Sequence, residues 1–202
     1  RNRLFFNKFG RGGILQSMRF IHLTDTHLTV PDKLLYGIDP AKRLREAVAD
    51  INTRFGDAEF VIVTGDLAHR GEPDAYTLLR TILRDLKIPV HLGIGNHDDR
   101  AEFCRQFPDT PTDPSGFVQY SVEISDRVFI MLDSMADGGS SGVLGPDRLN
   151  WLSDALHTRP HCDTFVFLHH APVALGIPDL DDIGLRDAAA FGDIVDKARC
   201  VK

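Results

Sequence analysis

Side chains that can bind a metal cation follow each of four short apolar runs in this sequence. Ligands of open α/β sheets bind beyond the carboxyl ends of the strands, so we expect these side chains to meet at one rim. Oxygen and imidazole donors suit Mn, Fe, Zn or Mg, and the lack of cysteine among them disfavours a structural zinc site. The first three motifs are each also typical of an ordinary turn, whereas two adjacent histidines after an apolar strand are rarer because buried imidazoles need partners. The metal-site hypothesis therefore depends on all four motifs together. In chain order, the donors are Asp25 and His27, then Asp66, then Asn96 and His97, and finally His169 and His170.

Two amphipathic helices separate the first three apolar runs. Residues 39–55 and 72–86 carry apolar side chains at spacings of three and four, and each segment has a proline near its start. Asp39 can cap the first helix, and Asp99 can cap a further helix that begins near Arg100. The resulting order of β-α-β-α-β predicts a sheet of parallel strands. Those strands are predicted at residues 19–23, 60–63 and 90–94.

The second half of the sequence predicts a different arrangement of strands. Two apolar segments, residues 117–125 and 127–134, meet at the polar dipeptide Ser125-Asp126. They predict a hairpin or consecutive strands of one sheet. A Gly- and Ser-rich loop at 137–145 precedes a predicted helix at 146–157 and a predicted strand at 164–170. Together the two halves predict a layered α/β sandwich.

The composition is that of an ordinary globular protein, with 43% hydrophobic and 26% charged residues in a chain of 202. A net charge of −6 disfavours a nucleic-acid polymer as partner, because binding its backbone usually needs a basic face. The sequence contains no run of 18 apolar residues, so we expect no membrane span. The three cysteines lack metal or redox spacing, which indicates reduced thiols and a cytoplasmic protein.

The first 17 residues differ from the rest of the sequence. They contain four basic residues and no acidic one, and they lack the continuous apolar stretch of a secretory signal. Met18 directly precedes the first predicted strand. We therefore interpret residues 1–17 as a leader or a remnant of cloning, with a transit peptide as the alternative, and residues 18–202 as one domain.

The donor motifs also carry a family resemblance. The blocks Asp25-x-His27, Gly65-Asp66, Gly95-Asn96-His97-Asp98 and His169 have the order and approximate spacing found in the calcineurin-like metallophosphoesterases. The sequence resembles this superfamily over about residues 19–200. More narrowly, LLYGID (34–39), GNHDD (95–99) and LDS (132–134) resemble the class III cyclic-nucleotide phosphodiesterases and the related glycerophosphodiesterases. The resemblance implies an αββα sandwich, here expected to lack its C-terminal strands, that hydrolyses a small phosphodiester, such as cAMP or a glycerophosphodiester.

The same resemblance implies a centre of two metal cations, divalent or trivalent, with Fe, Mn, Zn and Mg all left open. Asp25 and His27 would bind the first cation, Asn96 and His169 the second, and Asp66 would bridge both. Two cations sharing a carboxylate would lower the pKa of a bridging water and present hydroxide at neutral pH.

The resemblance and the chemistry of imidazole also imply roles beside the metal ligands. His97 would face the phosphate as the catalytic acid or as a stabiliser of transition-state charge. Asp98 is a candidate to orient His97, because carboxylates commonly orient histidines in such sites. His170 would support the ligands from behind, and His69 could line the rim of the site.

The sequence departs from the family at one block. The family closes its site with Gly-His-x-His, about 35–40 residues after the position of His169, and no such block occurs here before Lys202. We expect the natural chain to continue past Lys202, the alternative being a complete but weakened enzyme. A phosphomonoesterase, a nuclease and an inactive binding protein remain alternative functions. Residues 34–39 and 137–145 are candidate substrate or dimer elements, so a homodimer or larger homo-oligomer is also left open.

Overall fold

Two three-stranded β-sheets form the centre of the computed structural model within residues 18–202, which are the residues that the structure describes. The predicted leader at residues 1–17 lies outside the described residues. The layered α/β fold predicted from the sequence is confirmed, because helices cover the outer face of each sheet.

The first sheet is parallel and has the strand order β1-β2-β3. Helices α1 and α2 connect its strands, and α3 follows its third strand, so the predicted β-α-β-α-β order is confirmed. Its elements are β1 (Ile21–Leu23), α1 (Pro40–Arg54), β2 (Val61–Thr64), α2 (Pro73–Leu83), β3 (Val90–Gly93) and α3 (Arg100–Gln106).

The second sheet mixes strand directions. A hairpin of β4 and β5 is antiparallel, as the sequence predicts, and β6 pairs in parallel with β5. Val201 continues this sheet through a parallel bridge to Thr164. The short helix α5 was not predicted. The elements are β4 (Tyr120–Ile124), β5 (Arg127–Met131), α4 (Gly145–Thr158), β6 (Asp163–Phe167), α5 (Pro178–Asp181) and α6 (Ala188–Lys197).

Side-chain alternation along the strands builds the layers. Phe60 and Ile62 point into a cluster between the two sheets, whereas Val61 and Val63 point toward the cluster with α1 and α2. Strand β5 alternates in the same way between the inter-sheet cluster and the layer of α4 and α6. Since each fully buried side chain of this size stabilises the fold by about 1.5–3 kcal/mol, this arrangement fixes the register of the strands. Their carboxyl ends are thereby held at one edge.

Two of the helices begin with the aspartates predicted to cap them. Asp39 accepts a hydrogen bond from the Lys42 backbone N–H at 2.9 Å, and Asp99 accepts one from the Glu102 backbone N–H at 2.8 Å. The second cap starts α3 directly after the GNHD motif, so it fixes where that loop ends. Among residues 18–202, no helix combines the length and apolar character needed to cross a bilayer.

Candidate metal centre

Asp66 lies at the centre of the side chains that the strand ends bring together. Its side chain is only 5% exposed. One carboxylate oxygen lies 3.3 Å from Nε2 of His169, and the other lies 3.6 Å from Nε2 of His27. The same nitrogen of His27 is 3.6 Å from a carboxylate oxygen of Asp25. A single buried carboxylate therefore connects donors from opposite sides of the site.

The potential ligand atoms form two groups, and within each group all atoms lie within 4.8 Å of one another. One group contains Asp25, Asp66 and His169, and the other contains His27, His69 and His97. The sequence prediction instead paired Asp25 with His27 and placed His169 with Asn96. Since His27 is equidistant from both carboxylates, the assignment of ligands to individual cations stays a prediction, as does the role of the half-buried Asn96.

Three of these residues have an uncommon backbone conformation. Asp25, His27 and Asp66 have φ values of 56°, 42° and 49°, which place them in the left-handed region. Such conformations cost about 1–3 kcal/mol each and persist where the surroundings impose them. Here the loops after β1 and β2 are joined by backbone hydrogen bonds, including His27 N–H to the Asp66 carbonyl at 2.8 Å. Backbone strain is thus concentrated at the donor residues.

Gly95 allows the loop after β3 to lie against the donors. A Cβ atom at this position would lie 2.2 Å from a carboxylate oxygen of Asp66 and 2.8 Å from Cδ2 of His169. Real Cβ atoms essentially never approach other atoms so closely. Glycine is therefore required here by the packing of the site itself.

The carboxylates and imidazoles of the site stabilise one another's charge. The neighbouring His27 imidazole lowers the pKa of Asp25 to about 2. Burial is the largest influence on the pKa of Asp66 and raises it, but His169 and His97 together outweigh burial and leave that pKa below its usual range. Both carboxylates are therefore ionised at neutral pH, which is the form that binds cations.

Backbone carbonyls orient two of the imidazoles. Nδ1 of His169 lies 3.0 Å from the Thr64 carbonyl, and Nδ1 of His97 lies 2.8 Å from the His69 carbonyl. A carbonyl only accepts, so in each ring Nδ1–H is the donor and Nε2 is the nitrogen left to face a cation or a substrate. Nε2 is also the nitrogen that faces Asp66 in both rings. Imidazoles held in this way beside ionised carboxylates fit a site for metal cations.

The predicted role of Asp98 is wrong, because its carboxylate does not orient His97. The carbonyl of His69 binds the His97 ring instead, and both oxygens of Asp98 have other donors. Burial raises the pKa of Asp98 to about 6, against the effect of these hydrogen bonds. Its donors are the backbone N–H groups of Leu67, Ala68 and Gly95 and the hydroxyl of Tyr76. Asp98 thus ties the loop after β2 to the loop after β3.

His170 packs against His169. The two rings are 5.0 Å apart and nearly perpendicular. Nδ1 of the buried His170 lies 2.8 Å from Oγ of Ser134, at the end of the LDS motif. Burial lowers the pKa of His170 to about 4, so the ring is neutral at physiological pH. The supporting role predicted for His170 from the sequence stays a prediction.

A buried ion-pair network was missed by the sequence analysis. Asp133 is fully buried and binds the Arg100 guanidinium through both oxygens, at 2.7 and 3.1 Å. Arg148 lies 3.6 Å from the same carboxylate and donates to the Asp133 carbonyl. Arg100 directly follows the GNHDD motif, so this network anchors that loop to the second sheet. The only signal in the sequence was Asp133 within LDS.

The described fold and site agree with the result of a family comparison. Residues 18–194 match the family model described as calcineurin-like phosphoesterase. The chain belongs to the calcineurin-like phosphoesterase family. The resemblance noted from the donor blocks is thereby confirmed, and this phosphoesterase chain belongs to a family of hydrolases.

Curated relatives share substantial identity with this calcineurin-like phosphoesterase. A probable cyclic nucleotide phosphodiesterase from Rhodopseudomonas palustris is 40% identical over 185 residues, which cover 90% of this chain and 68% of that protein. A glycerophosphodiester phosphodiesterase from Enterobacter lignolyticus is 30% identical over 185 residues, which cover 89% of this chain and 66% of that protein. The chain thus spans about two thirds of the length of each relative.

A solved structure shows the same fold at low sequence identity. A dimetal phosphatase from Danio rerio superposes with a TM-score of 0.68 at 17% identity, over 90% of this chain and 78% of that one. This likeness confirms the αββα architecture of the described residues.

Proposed function

We propose that this protein is a metal-dependent phosphodiesterase that hydrolyses a small phosphodiester. The convergence of Asp25, His27 and His169 around the buried carboxylate of Asp66, with His97 beside them, carries the proposal. Phosphodiesterase names among the relatives at 30–40% identity support the reaction class. Those names point to a 3′,5′-cyclic nucleotide or a glycerophosphodiester as the substrate.

Two cations would be held by Asp25, His27, Asp66, Asn96 and His169. When bound, they supply Lewis acidity to the phosphoryl oxygens and lower the pKa of bound water. The chain itself contributes the carboxylates, ionised at neutral pH, and Nε2 of His169, whose ring is oriented by the Thr64 carbonyl. Without cations these carboxylates would repel a phosphodiester anion, so the same side chains also make substrate binding metal-dependent.

His97 is the residue that would act on the phosphate. Its side chain is 38% exposed, and its Nε2 is free because Nδ1 donates to the His69 carbonyl. Its backbone N–H is held by Asp66 at 3.0 Å, which fixes the ring beside the predicted metal ligands. When Nε2 carries a proton, an imidazole so placed can donate a hydrogen bond or that proton to a phosphoryl or leaving-group oxygen.

Hydrolysis assays on matched substrates test the proposal. With added Mn²⁺, we expect turnover of bis(p-nitrophenyl) phosphate, cAMP or glycerophosphocholine, and slower turnover of p-nitrophenyl phosphate. Asp66→Asn should lower kcat/KM at least about 100-fold, as expected when the charges that stabilise the transition state are lost. Asp57→Asn is the control, because Asp57 is exposed and, within residues 18–202, its carboxylate pairs only with Arg19. Wild-type rates in Asp66→Asn, or faster monoester than diester hydrolysis, would contradict the proposal.

A further inference from the structure

We infer that His69 is a positioning residue that orients two histidines of the site at once, an inference that rests on the proposed metal-dependent function. Its backbone carbonyl accepts the hydrogen bond from Nδ1 of His97 at 2.8 Å. Its side-chain Nδ1 lies 3.5 Å from Nδ1 of His27, within reach of a hydrogen bond. The two contacts use different parts of one residue, so they can be separated by substitution.

The paired loops bring His69 to this position. The His27 N–H donates to the Asp66 carbonyl, and the His69 N–H donates to the Leu28 carbonyl, both at 2.8 Å. A parallel bridge between Leu28 and Ala68 continues the same pairing. The chain segments that carry His27 and His69 therefore run side by side, and their rings lie 5.4 Å apart at an angle of 69°.

The two nitrogens of His27 face different partners. Nε2 points at the carboxylates of Asp25 and Asp66, at 3.6 Å from each, whereas Nδ1 points at His69. A cation held with these carboxylates takes the lone pair of Nε2, so the proton of His27 must then reside on Nδ1. A metal-ligating histidine usually donates this remote N–H to an acceptor that fixes the ring and the tautomer. Nδ1 of His69 is the acceptor at that place.

The side chain of His69 then serves metal binding, while its main chain serves the orientation of His97. The His69 and His97 rings stack, with their centroids 5.1 Å apart and an interplanar angle of 21°, and this stacking restricts the orientation of the His69 ring. Because any residue retains a carbonyl, a substitution at position 69 that removes the side-chain acceptor should weaken metal binding and leave His97 in place. This separation gives the inference its test.

Metal titrations of three variants provide that test. In asparagine, Oδ1 occupies nearly the same place as Nδ1 of histidine and only accepts from N–H donors, so His69→Asn should bind Mn²⁺ with a dissociation constant close to that of the wild type. His69→Leu keeps a branched side chain but has no acceptor. We expect the dissociation constant of the cation bound through His27 to rise about 10–100-fold in this variant. His161→Leu is the control, because His161 is exposed and lies at the amino end of β6.

Two further measurements exclude a merely structural effect. The metal-free His69→Leu protein should unfold at the wild-type temperature, because the ring is only half-buried. In Zn²⁺-loaded protein with ¹⁵N-labelled histidine, the Nδ1–H signal of His27 should be protected from exchange in the wild type and His69→Asn. It should be lost in His69→Leu.

The outcomes separate this inference from the proposed function. If the wild type binds Mn²⁺ and His69→Leu binds it equally tightly, the inference is overturned while the metal-dependent function stands. If His69→Asn weakens binding as much as His69→Leu, His69 is itself a metal ligand and the positioning role is wrong. If the wild type binds no metal at all, the proposed function fails first.

Discussion

Replacing Gly95 by alanine would place a methyl group where two donors of the candidate centre already lie. The new Cβ would be 2.2 Å from the Asp66 carboxylate oxygen and 2.8 Å from the His169 ring. Ordinary contact begins near 3.4 Å, so the carboxylate or the loop must move by about 1 Å. A displacement of that size at a catalytic centre costs about 100-fold in rate, which corresponds to about 2.7 kcal/mol of transition-state stabilisation.

Steady-state hydrolysis of bis(p-nitrophenyl) phosphate with saturating Mn²⁺ measures this effect. We expect Gly95→Ala to lower kcat/KM about 100-fold, and circular dichroism should show that its fold is retained. The matched control is Gly192→Ala in α6, where an added Cβ meets nothing within 4 Å. That change should leave activity unaltered and stabilise the protein by about 0.5–1 kcal/mol. Wild-type kcat/KM in Gly95→Ala would refute the reasoning that the donors and the Gly95 backbone are packed in contact.

Three further predictions concern the surroundings of the site. Tyr76→Phe removes a buried hydroxyl that donates to Asp98 and accepts from the Asp99 N–H, so urea unfolding should show a loss of about 2–4 kcal/mol; a loss below about 0.5 kcal/mol would contradict this. Asp133→Asn should cost about 3–5 kcal/mol in the same assay, because two arginines lose their buried partner. The exposed ion-pair variant Asp57→Asn should lose under about 1 kcal/mol, and equal losses would argue against the buried network. Removing metal with a chelator should lower the melting temperature, since ligand at 100 times its dissociation constant stabilises the folded state by about 2.7 kcal/mol per site; an unchanged melting temperature would oppose metal binding.

The sequence was sufficient for the fold because its signals are periodic and local. The continuous apolar run at β2 is typical of a strand buried on both faces, and the three- and four-residue spacings in α1 follow from the geometry of a helix. Parallel strands place their carboxyl ends at one edge, so Asp66 and His27 could be expected to meet even though they are far apart in the chain.

The supporting interactions could not be predicted in the same way. Asp133 and Arg100 are 33 residues apart, and Asp98 and Tyr76 are 22 apart, and neither pair belongs to a periodic pattern. Their pairing depends on how the two sheets and α2 pack together, which local sequence signals do not encode. The proximity of Asp98 to His97 in sequence therefore suggested a contact that the turn geometry does not make.

The position of His69 illustrates the same limit on a smaller scale. Its place three residues after Asp66 made it a candidate for the rim of the site. Only the pairing of the two loops shows that its ring meets His27 and that its carbonyl meets His97. Which atom of a residue acts is set by backbone conformation, and here Asp66 has a left-handed φ of 49° that the sequence does not reveal.

The metal content of the purified protein tests the central claim most directly. Elemental analysis by mass spectrometry, after reconstitution with Mn²⁺ and removal of free metal, should find two cations per wild-type chain. Asp66 lies between both groups of donors, so Asp66→Asn should retain at most one cation, while Asp57→Asn should retain two. A wild-type protein that binds no metal, or an Asp66→Asn variant that still holds two, would contradict the account.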